Sequence, residues 1–534
     1  MIRKSIKKLF VGFAVFSAAS ICAHSDTLTT SQNFFQPRAF SANLAREMLM
    51  EGSKHKDSDS WCGKFSATGA YQRSWSQNME TSDDVKLADT VNGLGVHPFW
   101  SGLNVMTTGP NDGLSNLDAY QFGLGPITTT GSITLNPIVY QAGADLMLIF
   151  ASSGNKPSFF AKIKAPLGVY NINPNLTEVD LTFVPYDEGA LSATSTSTTY
   201  QPATTITQAF AGNLAGGQVT QGDFVPMQFG LINGDQSTSV KFADVEMTIG
   251  YRFVTNDEKS FSLAIRASAP TGGQATAQYM MEPIFGRGGN WGLGGYADGH
   301  VTLWQGNNEN NLQVKFIANA MHLFSTDTMR SYDLIDNGGG SKYVLVANYK
   351  NGSYQGTIAN LINYSTLAST SLFSIEGDAA LSVTYMQRGW SLDVGYEFWG
   401  RSAETLEITG DFSNRTYAVL GRQGVATSTL GTNNLCEPTA TIAISSPYID
   451  TNTPSDTVVS ALVTNNRIAL TDLNVEGAQQ TAALTSKVFS KITYEWIDSA
   501  YCPHAGIMGE FEISMSDNNA LPQWGVSLVG GISF

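Results

Sequence analysis

After its first 25 residues the chain has no apolar run near the ~18 residues that a membrane-spanning helix requires, so no helical span is expected. Charge is scarce too. Asp, Glu, Lys and Arg make up 14% of the residues, whereas a water-soluble enzyme carries about 25%. Cysteine is nearly missing, and Cys62, Cys436 and Cys502 have no zinc-like spacing. No EF-hand-type loop is visible, so no metal or other cofactor is expected. Bases are outnumbered, 30 against 45 acids for a net charge of −15. That balance excludes nucleic acid as a partner, because phosphate backbones demand positive charge.

What is present begins with an export signal. Arg3, Lys4, Lys7 and Lys8 precede an apolar run from Leu9 to Ile21, and Ala23-His24-Ser25 before Asp26 has the form of a cleavage site. Residues 1–25 therefore read as a signal peptide. The competing readings are a membrane anchor, for which the run is short, and a lipoprotein at Cys22, which bulky Ile21 disfavours. Residues 26–64 read as a periplasmic segment with a short helix from Ala42 to Glu51, ending at Gly52. The helix has two possible places, the periplasm or a lumen. Residues 65–534 read as a barrel.

Alternation of period two carries that last reading, since it puts successive side chains on opposite faces of a strand. Phe159, Ala161, Ile163, Ala165, Leu167 and Val169 share one face, with Lys162 and Lys164 on the other. Val245 to Phe253, Phe261 to Ala269, Trp291 to Leu303, Leu312 to Phe324, Phe373 to Tyr385 and Trp390 to Phe398 repeat the pattern. So do Val488 to Trp496, Ile507 to Met515 and Trp524 to Phe534. With Phe65 to Trp75 and Ile138 to Phe150 they predict an all-β, transmembrane, antiparallel up-and-down β-barrel of about 12 strands, with 12–16 allowed. Short turns would lie on the periplasmic side and long loops outside. Aromatics fall at both ends of the apolar faces, and Arg73 is the only charge there. A β-sandwich also alternates, but its strands run about 5–6 residues, and these run nearer ten. The loops from Tyr170 to Ala243 and from Ser402 to Ser486 are long enough to hold further strands; Ser341 to Tyr349 and Thr439 to Tyr448 look extended. "APLG" at Ala165 to Gly168 and "APTG" at Ala269 to Gly272 are each expected to close a strand, Pro stopping the ladder.

An alternating last strand ending in an aromatic, Trp524 to Phe534, resembles the C-terminal signal that outer-membrane barrel families present to their assembly machinery. That resemblance implies a Gram-negative outer membrane, with its lipids, lipopolysaccharide and barrel assembly machinery as partners. "MEPIFGRGGNWGLGG" and "RSYDLIDNGGGSKYVL" resemble segments of large uncharacterised barrels of protist-associated bacteria, a likeness that implies no activity. "DTLTT" at Asp26 to Thr30 resembles an energy-coupling box, but a plug plus 22 strands needs more chain than this.

The polar faces hold the candidate pore-lining residues. Lys162, Lys164, Glu246, Arg252, Arg266, Asp298 and Lys315 come from the early strands. Glu376, Asp378, Asp393, Glu397, Arg401, Lys491, Glu495, Glu510 and Glu512 come from the later ones. Closure would set a basic wall against an acidic one. This resembles the transverse field at a porin constriction and implies passive diffusion of small hydrophilic solutes, with a bias to cations. The bland alternative is that these charges pair and fill a narrow barrel. A surface-adhesive barrel and an outer-membrane hydrolase using His300 and Thr302 are the other readings; no catalytic motif supports the latter. Cys62 and Cys502 both fall at the periplasmic rim, where a disulfide is permitted.

Overall fold

The computed structural model describes residues 38–52, 61–74, 105–108, 116–117, 119–124, 130–134, 138–153, 156–182, 202–256, 258–306, 310–338, 340–350, 353–420, 467–499, 501–514 and 522–534. The signal peptide, "DTLTT", Trp75, Cys436, Thr439 to Tyr448 and Met515 lie outside them.

Twelve long strands form one sheet. They are β1 (Cys62–Ser74), β2 (Ile138–Ala151), β3 (Ser158–Asn173), β4 (Val245–Thr255), β5 (Lys259–Ala269) and β6 (Gly292–Gln305). Then come β7 (Asn311–Ser331), β8 (Thr366–Gln387), β9 (Trp390–Arg401), β10 (Ala483–Glu495), β11 (His504–Ser514) and β12 (Gln523–Ser533). Each pairs antiparallel with its chain neighbours, and β12 returns to β1 from Gln523↔Ser74 to Ser533↔Lys64. The sheet is thus closed, which removes both edges and rules out the sandwich. Reciprocal bonds between Gly63 and Phe534 finish the seam, at 2.8 and 2.9 Å.

Alternation sets the two faces. Phe159, Ile163, Met247, Ile249, Leu263, Ile265, Val394, Val488 and Leu528 are exposed outward, whereas Lys162 and Lys164 between them are buried. A continuous exposed apolar belt of this kind is the surface of a barrel made for lipid. Among the described residues no Asp or Glu occupies an outward position of these strands between the rims. Aromatic rings touch along the short-turn rim: Phe159–Tyr251 at 4.9 Å, Tyr251–Phe253 at 5.2 Å, Trp390–Tyr494 at 4.8 Å and Phe150–Phe534 at 6.3 Å. At the other rim Tyr71 meets Tyr140 at 6.1 Å and Trp524 at 5.8 Å.

Several strand ends differ from the sequence reading. β3 does not stop at Pro166 but continues to Asn173. Pro166 lacks an N–H, and pairing to β4 ends at Glu246↔Lys164, yet pairing to β2 continues to Ile138↔Asn173. β7 and β8 run 21 and 22 residues, well past their expected ends. Their ladder continues to Ser331↔Thr366, through bulges after Met321 and Leu323. These arms carry a cap at the long-loop end. It includes the small sheet of Leu345–Lys350, Ser353–Asn360, Tyr417–Val419 and Phe224–Val225. Of the segment expected to be extended, Ser341 to Tyr349, the first three residues form a 3-10 turn and the part from Leu345 on is a strand of the cap, outside the barrel. Tyr332, Val344, Val346, Leu361, Leu406 and Leu473 form one cap core. The cap also holds the buried pair Arg330–Glu404, which closes at 2.6 Å.

Candidate functional site

The barrel's interior holds a helix, α1 (Leu44–Glu51). Asn43 caps it, accepting from the Arg46 amide at 2.9 Å, and Gly52 follows with φ +65°. Residues 44–50 are all buried, including Arg46 and Glu47. Of the two places open to this helix, the structure has the lumen, where wall charges hold residues 38–52 inside. Leu44, Met48, Leu49 and Met50 join an apolar cluster with inward residues of β1, β2, β3, β6, β7, β8, β10, β11 and β12, among them Met147, Phe160, Phe489 and Met508.

Charge sets the helix's orientation. Towards the basic wall, Glu47 accepts from Lys162 at 2.8 Å and from Arg266 at 2.5 Å, with Lys164 at 3.7 Å; Glu51 also binds Lys162. Towards the acidic wall, Arg38 binds Glu397, and Glu512 lies at 3.0 Å and Asp378 at 3.8 Å. The Leu44 and Ala45 amides both donate to Glu397 at 3.1 Å, so a wall carboxylate satisfies the helix's first free N–H groups. Asn43 donates to Glu510 at 3.0 Å. Lys491 holds the Met48 carbonyl at 2.9 Å, Ser66 holds the Met50 carbonyl at 2.7 Å, and Arg46 binds Asp145.

Above the helix, the segment between β5 and β6 folds inward. Its Arg287 reaches Glu376 at 2.7 Å, Glu246 at 2.9 Å, Asp244 at 3.7 Å and the Ser41 hydroxyl at 3.1 Å. Gly286 makes this possible: at φ +109°, its added Cβ would lie 2.0 Å from the Ala243 carbonyl oxygen. In the same segment Glu282 accepts from the Thr276 and Ala277 amides, both at 2.8 Å. Burial raises its carboxyl above the ordinary range, against the pull of those bonds.

The structure places the expected pore-lining residues on the lumen side of the wall. Besides those named, Asp393 lies 3.5 Å from Lys491, and Arg252 stacks on Phe160 at 5.4 Å. Arg401 stacks on Phe373 at 4.4 Å and donates to Gln480 at 2.9 Å. Glu495 is buried opposite His504. Asp298 and Lys315 are half-buried on β6 and β7. Sequence reasoning missed Lys487, which is fully buried between Glu510 at 3.2 Å and Glu397 and Glu512 at 3.7 Å. It shares a face with Lys491, but the sequence reading begins this strand at Val488, whereas β10 starts at Ala483. Arg38, Arg46, Glu47 and Arg287 were missed because no strand periodicity marks them.

One further expectation is corrected. Cys62 and Cys502 are free thiols. Cys62 is packed into the lumen cluster, while Cys502 turns its sulfur to the Ser499 carbonyl at 3.4 Å within its own turn. Of the residues in the hydrolase reading, His300 Nδ1 meets Ser260 Oγ at 2.6 Å, and Thr302 accepts from Gln313 at 3.2 Å.

A closed antiparallel barrel with an outward apolar belt and a charged interior defines the class: a β-barrel of the outer-membrane type. No protein-family model matches the chain, and no curated protein does. Among solved structures it is similar to an outer-membrane channel of Pseudomonas putida F1, at 10% identity over 88% of this chain and 96% of that one, TM-score 0.34. It is also similar to a Pseudomonas aeruginosa FadL homologue, at 7% over 89% and 90%, TM-score 0.27. A third is the P. putida toluene transporter TodX, at 8% over 89% and 90%, TM-score 0.28. At such scores the likeness carries no argument, and the fold rests on the barrel's own pairing and surface.

Proposed function

We propose that this chain is an outer-membrane diffusion channel for small hydrophilic solutes or ions, exported by its signal peptide and closed at rest by α1. The observation that carries the reading is how the helix is held. Besides its apolar cluster, the helix and the residues ahead of it are tied to the walls by ion pairs and hydrogen bonds, Glu47 to Lys162 and Arg266 on one side and Arg38 to Glu397 and Glu512 on the other. Water can replace such contacts once the helix leaves, whereas a wall built only as core would be apolar. The vacated lumen would keep bases facing acids, and the excess of acids favours cations. Lipopolysaccharide, membrane lipids and the assembly machinery are its proposed partners.

Purified full-length protein in a planar bilayer should give discrete conductance steps. Deleting residues 38–52 should raise the conducting fraction. A correctly folded deletion variant that stays silent overturns the proposal.

The cap favours a second reading, a surface-adhesive barrel, since it has its own core and buried ion pair. Proteolytic trimming of the cap that abolishes cell attachment but spares conductance would support that role.

A further inference from the structure

We propose that the turn between β8 and β9 forms, with β10, a binding site for one anionic phospholipid of the periplasmic leaflet. The orientation rests on the outer-membrane reading above. On the outward surface at the short-turn rim lies a crevice of about 280 Å³, lined by Tyr385, Gln387, Arg388, Trp390, Leu392 and Ile492. Tyr385, Trp390, Leu392 and Ile492 are exposed members of the apolar belt, so the medium that meets the crevice is lipid. Trp390 packs on Tyr494 at 4.8 Å, which marks this height as the aromatic girdle where headgroups begin.

Arg388 is the crevice's only charged lining residue, and it is exposed. Its place is set by the backbone. Arg388 and Gly389 have φ of +47° and +83°, and the Glu495 amide donates to the Gly389 carbonyl at 2.8 Å. A Cβ on Gly389 would come within 2.5 Å of the Glu495 carbonyl oxygen, so the turn stays tight against β10 and fixed relative to the crevice. A guanidinium at headgroup level over an apolar slot fits a phosphate above an acyl chain. Its planar fork pairs with two phosphate oxygens. A net-negative headgroup is favoured over a zwitterionic one, whose ammonium would oppose Arg388.

The test is native mass spectrometry of full-length protein in detergent, titrated with phosphatidylglycerol or phosphatidylcholine. Wild type should retain one phosphatidylglycerol in preference to phosphatidylcholine. Arg388→Asn, which tolerates the left-handed backbone, should bind about fivefold more weakly and lose the preference. Arg388→Lys should keep it. Equal retention of the two lipids by wild type, or undiminished binding by Arg388→Asn, overturns the site. The readout is independent of conductance, so failure of the channel reading leaves it distinguishable.

Discussion

Glu47 lies 2.8 Å from Lys162, so a carboxylate of the lumen helix and an ammonium of the β3 wall form one buried pair. Both are almost wholly removed from solvent. Breaking a buried pair from one side costs roughly 3–5 kcal/mol, because the other charge is left uncompensated. Arg266 and Lys164 share the carboxylate.

Glu47→Gln is therefore expected to loosen α1 and increase channel open time in bilayer recordings. Lys162→Glu/Lys164→Glu should do so more strongly and shift selectivity further towards cations. Adding Glu47→Lys to that pair should restore part of the closure. Unchanged recordings for all three would remove the ion pairs from the closing mechanism.

The inward fold of the segment between β5 and β6 should depend on Gly286. Alanine there combines a disfavoured φ of +109° with a contact of 2.0 Å to the Ala243 carbonyl oxygen. Backbone strain of this kind costs about 1–3 kcal/mol. Gly286→Ala should lower the Tm and expose residues 270–291 to protease while the barrel stays intact.

Much of the barrel was legible because a strand announces itself locally. Ile163 outward and Lys162 inward follow from parity alone, and parity survives any loop length. The lumen was legible only in half. Its wall charges lie on alternating positions, but their partners Glu47, Arg38 and Arg287 sit on a helix and two irregular segments. Only closure brings them to Lys162, Glu397 and Glu376. The continuation of β3 through Pro166 was hidden for a related reason: the missing N–H breaks one ladder and not the other, and sequence does not say which side it faces.

Glu282 gives a pH dependence of definite sign. Its folded pKa is raised, so its contribution is fully present below the ordinary glutamate value of ~4.3 and fades as pH rises through the folded value. Glu282→Gln should therefore raise the Tm relative to wild type at pH 7, with the gain shrinking as pH approaches ~4. A gain that instead grows on acidification would contradict the burial argument.

In the cap, Arg330→Ala strands Glu404 in a buried site, at a cost of roughly 3–5 kcal/mol. Limited proteolysis should then cut the cap much faster, while the folded barrel keeps its heat-modifiable mobility on a gel.

Thiol mapping provides a check on the rim. Peptide analysis of unreduced protein should recover Cys62 and Cys502 unbridged; a crosslinked peptide joining them would contradict the packing of Cys62 in the lumen.

Phe40, just ahead of α1, is buried against Phe285 at 5.5 Å, in a cluster that includes Tyr343 of the cap. At the opposite end of the helix the Glu51 carbonyl accepts from Lys64 at the start of β1. One short run of chain is thus moored at both mouths of the cylinder. In the proposed channel, a pull from the periplasm would draw that aromatic ring out of its cluster in the same movement that slides the helix, so both holds would have to give way together.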